Sequence, residues 1–182
     1  VKFAMLLQDR FSRKLYGIGL ESRQTNVLLD AFNTLFARAR SDAVPQGPPG
    51  VNMDAEAGFT ANDFRDALEA QGVTVRVKRP GREEKQALAQ LDSAMGTFKK
   101  ALFRYQRQND ADGWSDYIDD AISYVNRKPM PYGRGTLGNA PNEIEASFEQ
   151  DNVANPGDPS QVPAFEMQRQ AARDLSLIHI SE

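Results

Sequence analysis

Asp54 and Asp92 are the residues of this sequence whose types and spacing best suit chemistry. Asp54 closes a short strand-like run, Val51 to Met53, and Asp92 follows it by 38 positions on a long helix-like segment. A strand end and a neighbouring helix face can bring two carboxylates together. Two acids held that close repel unless a cation lies between them. Magnesium takes carboxylate oxygens plus water and supports phosphoryl transfer. An aspartate at a strand end more commonly caps a helix or holds a turn, so the pair gains meaning only from its surroundings.

The rest of the composition narrows the chemistry. The chain has 182 residues, 40% apolar and 26% charged, enough for one globular domain with a core. There is no cysteine, which excludes disulfides and Cys-based zinc sites. The one histidine, His179, lies in the C-terminal octapeptide LSLIHISE, Leu175 to Glu182. That octapeptide resembles the translation of a sequencing adaptor, so residues 175–182 are expected to stand outside the functional unit. What remains has neither His nor Cys, which removes His-based catalysis and the common zinc chemistry together. The formal charge of −3 argues against a uniformly basic nucleic-acid coat, and any such contact must come from local patches. No apolar run approaches a membrane span, and no signal peptide is visible.

The elements that must position the two acids can be read from periodicity. Lys2 to Gln8 is almost continuously apolar and predicts a strand buried on both faces. LYGIGL, Leu15 to Leu20, predicts its hairpin partner. A helix is expected from Thr25 to Arg38, then a stiff VPQGPPG loop and the Val51–Met53 strand. Thr60 and Asp63 form a capping-box pattern for a helix that Gly72 stops near Gln71, and Val73 to Val77 reads as a further strand. The long helix, about Glu84 to Gln108, has one apolar seam: Leu88, Leu91, Met95, Phe98, Leu102 and Tyr105. Asp92 flanks that seam. A helix from about Gly113 to Asn126 follows, presenting Trp114, Ile118, Ala121 and Val125 on one face, and Pro141 opens a short one. Hairpin, alternating helices and strands, then helices indicate an α/β layer structure. The expected organisation is a core over 1–148, a linker over 149–163 and a C-terminal helix over 164–174.

Four segments, in order, resemble the catalytic core of retroviral and retrotransposon integrases. In MDAEAGFTANDFRDALEAQGVTVRV, Asp54, Phe59, Thr60, Phe64, Gly72 and Val73 match the motif of the second catalytic acid. In LDSAMGTFKKALFRY, Asp92 takes the third-acid position and Thr97 to Lys100 the Thr-Leu-Lys position. WSDYIDDAISYVNRKP and LGNAPNEIE resemble the two segments that follow. The resemblance covers most of Lys2 to Leu175. It departs in three ways: Asp92 replaces a glutamate, DAEAGF lacks the Asn-Gly after the second acid, and the first acid is absent. Asp9 does not take that place, because the family's acid sits on an earlier, central strand. Asp9 is expected in a turn or behind the site, bonding backbone amides of RFSR.

The resemblance implies a ribonuclease-H-like mixed sheet flanked by helices, lacking its first, central strand. It implies metal-dependent trimming and strand transfer of DNA ends, with Asp54 and Asp92 as catalytic acids and ligands of Mg2+ or Mn2+. Lys99, Lys100 and Arg104 on the long helix, and Lys78, Arg79 and Arg82 in the loop before it, are the candidate DNA contacts. Gly96 would leave room for DNA. DNA and other copies of the chain are the implied partners, within the cell, in the nucleus or a retroelement particle. Without its central strand the piece is expected to be unstable and inactive alone. The alternative is a decayed or domesticated integrase-derived domain that binds DNA or assembles without catalysis.

Overall fold

The computed structural model describes residues 1–9, 12–41, 50–53, 62–77, 85–109, 113–129, 140–143 and 174–181. Five strands form one mixed sheet: β1 (Phe3–Asp9), β2 (Leu15–Leu20), β3 (Gly50–Met53), β4 (Thr74–Val77) and β5 (Asp174–Ser181). Their spatial order is β2-β1-β5-β3-β4. β1 runs antiparallel to both β2 and β5, whereas β3 runs parallel to β4 and β5. Among the described residues four helices cover the sheet: α1 (Thr25–Ser41), α2 (Asn62–Ala70), α3 (Lys85–Gln108) and α4 (Ile118–Arg127).

The layering follows from the side-chain alternation of β1. Ala4, Met5, Leu6 and Leu7 are all fully buried, as a strand covered on both faces requires. Met5 and Leu7 enter a cluster with Phe32 and Leu35 of α1 and Phe64 and Leu68 of α2. Leu6 enters a second cluster with Leu91, Phe98 and Leu102 of α3 and Ile118, Ala121 and Val125 of α4. The β1–β2 register keeps the faces distinct: Met5 and Leu7 oppose Ile18 and Tyr16, while Ala4 and Leu6 oppose Gly19 and Gly17. Those glycines let α4 approach closely. A Cβ on Gly17 would lie 2.7 Å from Ile122 Cδ1 and from Leu6 Cδ2, and one on Gly19 3.2 Å from Ile118 Cδ1.

Local signals set most boundaries. Gly72 has φ +76° and ends α2 in a Schellman arrangement, with Val73 N–H donating to Leu68 O and Gly72 N–H to Glu69 O. α1 runs three residues past the expected Arg38, to Ser41. The segment expected as one helix from Gly113 is a 3-10 turn, Ser115–Tyr117, leading into α4. Pro141 begins a helical turn, and the Glu143 carboxylate accepts the Ala140 N–H at 2.8 Å, closing it as a capping box does.

The middle of the sheet differs from expectation. Among the described residues no strand from the front of the chain lies between β1 and β3. The C-terminal segment does, although residues 175–182 were expected to stand outside the functional unit. β5 pairs with β1 over Phe3↔Ser181 to Asp9↔Leu175 and with β3 over Gly50↔Asp174 to Met53↔Leu177. Asp174, expected as the last residue of a helix, is the first residue of this strand. The physical cause is the demand of two open strand edges for hydrogen-bond partners, which an apolar, β-branched segment meets. The linker 149–163 and residues 164–173 lie outside the described residues.

Candidate metal and nucleic-acid site

α3 presents Asp92 as the sequence periodicity predicts. Leu91, Phe98 and Leu102 are buried, Met95 and Tyr105 pack beside them, and Asp92 is exposed next to fully buried Leu91. The helix therefore fixes the Asp92 backbone through the seam while leaving its carboxylate to solvent. One turn on, Gly96 is exposed, and a Cβ there would meet nothing within 4 Å. The helix surface at Gly96 is thus open. Lys99 is half-buried, whereas Lys100 and Arg104 are exposed, as is Phe103 at 54%.

Met53 is the last described residue of β3, and Asp54, next in the chain, lies outside the described residues. The register of the sheet nevertheless fixes where β3 ends. Met53 is the partner of Leu177, and Leu177 is the partner of Leu7. One step farther along β5, Ile178 is the partner of Leu6. Leu6 shares its buried cluster with Leu91, the residue before Asp92. α3 also packs directly on β5. The C-terminal end of β3 and the Asp92 turn of α3 thus border the same central strand. Lys78, Arg79 and Arg82 lie outside the described residues.

Asp9 is at the other end of the sheet. Its register partner is Leu175, which also pairs with Val51, so Asp9 sits level with the start of β3 rather than its end. Its carboxylate accepts the Ser12 N–H at 2.9 Å and the Ser12 hydroxyl at 2.6 Å. Arg13 adopts φ 65°, its N–H donates to Asp9 O, and its own carbonyl accepts from Gln8 Nε2 at 3.1 Å. These are the bonds of a side-chain-stabilised hairpin turn.

The donor set that β3, α3 and β5 can offer is incomplete as a cage. Among the described residues no three His, Cys, Asp or Glu side chains cluster as metal ligands do. β5 carries no Asp or Glu after Asp174, which pairs with Gly50 at the far end of β3. Asp54 and Asp92 are hard oxygen donors of the kind Mg2+ accepts, and water would complete the shell.

Sequence reasoning missed one polar residue. Asn126, at the end of α4, is buried, and its amide clasps β2: Leu15 N–H donates to Oδ1 and Nδ2 donates to Leu15 O, both at 2.8 Å. The one signal for it was an amide adjoining the buried stripe of Ile118, Ala121 and Val125.

No protein-family model matches this sequence, and no curated protein sequence is significantly similar. The fold has many counterparts among solved structures. The catalytic core domain of BIV integrase superposes with a TM-score of 0.61 at 17% identity, over 82% of this chain and 89% of that one. The magnesium complex of the HTLV-2 integrase catalytic core, in its trimeric form, gives 0.59 at 14% identity, over 77% and 83%. The simian T-cell lymphotropic virus intasome in complex with PP2A regulatory subunit B56 gamma gives 0.63 at 12% identity, over 78% and 47%. The chain has the fold of an integrase catalytic core.

Proposed function

We propose, proceeding from that fold, that this chain is the catalytic core of a retroelement integrase, built to hold a divalent cation between Asp54 and Asp92 at a DNA phosphodiester. The observation that carries the reading is the convergence on β5. β3, after which Asp54 follows in the chain, pairs with it, and α3, which bears exposed Asp92, packs on it. Mg2+ or Mn2+, when bound, would activate water or a DNA 3′-hydroxyl and stabilise the leaving 3′-oxygen. The magnesium complex of the HTLV-2 core supports this choice of ion.

The protein's own residues would do the rest. Asp92 is one methylene shorter than glutamate, so α3 must bring its backbone nearer the cation or reach it through water. Lys99, Lys100 and Arg104 lie along the same helix and would neutralise phosphates, making binding fall with salt. Lys78, Arg79 and Arg82 would extend that contact. Asp9 would support the fold through its turn. Partners would be element-end and target DNA and further copies of the chain, in keeping with the intasome and the trimeric form among its structural neighbours. The setting would be the nucleus or a retroelement particle. No helix among the described residues is long and apolar enough to cross a membrane.

A second reading, a DNA-binding or assembly domain without catalysis, is favoured by one observation: the central strand brings no acid to the level where β3 ends. The same feature predicts that the chain as it stands does not join DNA. The discriminating experiment uses a longer version carrying an acid on a central strand. Asp92→Asn should abolish its magnesium-dependent DNA joining while Asp92→Glu preserves it. Absence of joining in every form would favour the non-catalytic reading.

A further inference from the structure

Among the described residues three large apolar side chains are exposed, Val1, Tyr124 and Phe103, and Phe103 is the most exposed of them. Val1 is the first residue, and Tyr124 carries a hydroxyl that water can satisfy. Neither explanation applies to Phe103. Side chains three and four positions apart are neighbours on a helix surface. For Phe103 these are Lys99, Lys100, Gln106 and Arg107, and Arg104 adjoins it in the chain. From Lys99 to Gln108 there are four cations and no acid. None of the four forms an ion pair among the described residues. Phe103 stacks on no ring and lies under no cation there. Elsewhere such neighbours pair: Lys14 lies over Tyr16, Arg23 over Phe3 and Arg40 over Phe36.

Phe103 is also in line with Asp92. It follows Asp92 by eleven residues, about 16 Å along the helix, and the two differ by about 20° around its axis. Asp92, Gly96, Lys99, Phe103 and Arg107 thus share one stripe of α3, exposed throughout except for half-buried Lys99.

We propose that Phe103 is a stacking platform for an unpaired base, and that the stripe from Lys99 to Arg107 binds single-stranded DNA leading away from Asp92. The inference rests on the proposed role of α3 as the DNA-facing helix and adds the form of DNA it takes. Charge complementarity calls for a polyanion along the four cations. The ring selects among polyanions, because an acidic peptide or a sulfated sugar would use the cations and leave Phe103 in water. A base buries it, and stacking tolerates any sequence because every base has a π-face. Side-chain length then separates single strands from duplex. Lysine and arginine reach farther from the helix than phenylalanine. A duplex resting on the cations is held off the ring, and its bases, stacked on one another, offer no free face. A single strand is narrow enough to lay a base on Phe103 while its phosphates meet Lys99, Lys100, Arg104 and Arg107.

The test is fluorescence anisotropy of the intact protein with labelled DNA in EDTA, so that it does not depend on a cation at Asp54 and Asp92. The probes are a thymidine strand of about 15 nucleotides and a GC-rich duplex of the same length. Phe103→Ala should weaken single-strand binding about 5-fold to about 150-fold, the worth of one base–aromatic stack. It should change duplex binding by less than about twofold, since the phosphate contacts are kept. Phe103→Trp should retain single-strand binding, and its added fluorescence over that of native Trp114 should be quenched by the strand and not by the duplex. Arg104→Gln should weaken both probes and lower the salt dependence of both. Equal single-strand binding by the parent and Phe103→Ala would overturn the proposal while leaving α3 as a DNA-facing helix. Equal loss on both probes in Phe103→Ala would also overturn it, because the ring would then support the face rather than a base. Binding of neither probe by the parent would remove the DNA-facing role of α3 and the proposal with it. Light scattering separates the remaining occupant: a dimer that dissociates in Phe103→Ala would mean that a second copy covers the ring, and would overturn the proposal.

Discussion

Asn126 ties the end of α4 to the first residue of β2 by two buried hydrogen bonds of 2.8 Å. Both polar groups of Leu15 are used, so this end of the sheet's outer edge is closed to other strands, which protects an edge strand from pairing with neighbours. Removing the amide leaves a buried N–H and a buried C=O without partners. Asn126→Ala should therefore destabilise the protein by about 2–4 kcal/mol, read as a lower denaturation midpoint with unchanged slope. Asn126→Asp, which keeps the acceptor and loses the donor, should still be clearly less stable than the parent. A midpoint shift within error for Asn126→Ala would contradict this role. The residue was hard to see in advance because an asparagine beside an apolar stripe looks like a solvated helix end. Asp9 was easier: a carboxylate followed by a serine three residues on is a turn signal, and Ser12 supplies both hydrogen bonds. Asp92 was legible as a surface acid beside a buried seam. Asp54 can be located only as far as Met53, the last described residue before it.

At the scale of elements, the seam of α3 and the run of β1 were legible because burial imposes a period and both sequences keep it. The glycines of LYGIGL were not, since a glycine in a strand signals close approach without naming the neighbour. That neighbour is α4. Gly17→Ala would force a methyl against Ile122 Cδ1 and Leu6 Cδ2, each 2.7 Å from its ideal position. Both atoms end flexible side chains, but Leu6 is fully buried and has little room to move. The expected cost is about 1–3 kcal/mol. Adding Ile122→Val, which removes Cδ1, should recover part of it, with a coupling of about 0.5 kcal/mol or more in the double-mutant cycle. Strict additivity would mean that α4 does not rest on β2 in this way. β5 was illegible for a different reason. Strand pairing across 46 intervening residues leaves no local period, and its sequence resembles an adaptor translation.

At the scale of the molecule, the described residues put five strands in the order β2-β1-β5-β3-β4, with two helices on each face, and build the integrase-core fold around the strand Asp174–Ser181. That strand completes the sheet but brings no carboxylate to the level where β3 ends. The account then rests on two acids from separate elements sharing one cation. Mn2+ binding to the intact protein, followed by the loss of the free-ion electron paramagnetic resonance signal, measures this directly. One saturable site is predicted, weakened about tenfold or more, roughly 1.4 kcal/mol, by either Asp54→Asn or Asp92→Asn and left in place by Asp9→Asn. Equal Mn2+ binding in the parent and both single variants, or no saturable site in the parent, would contradict it.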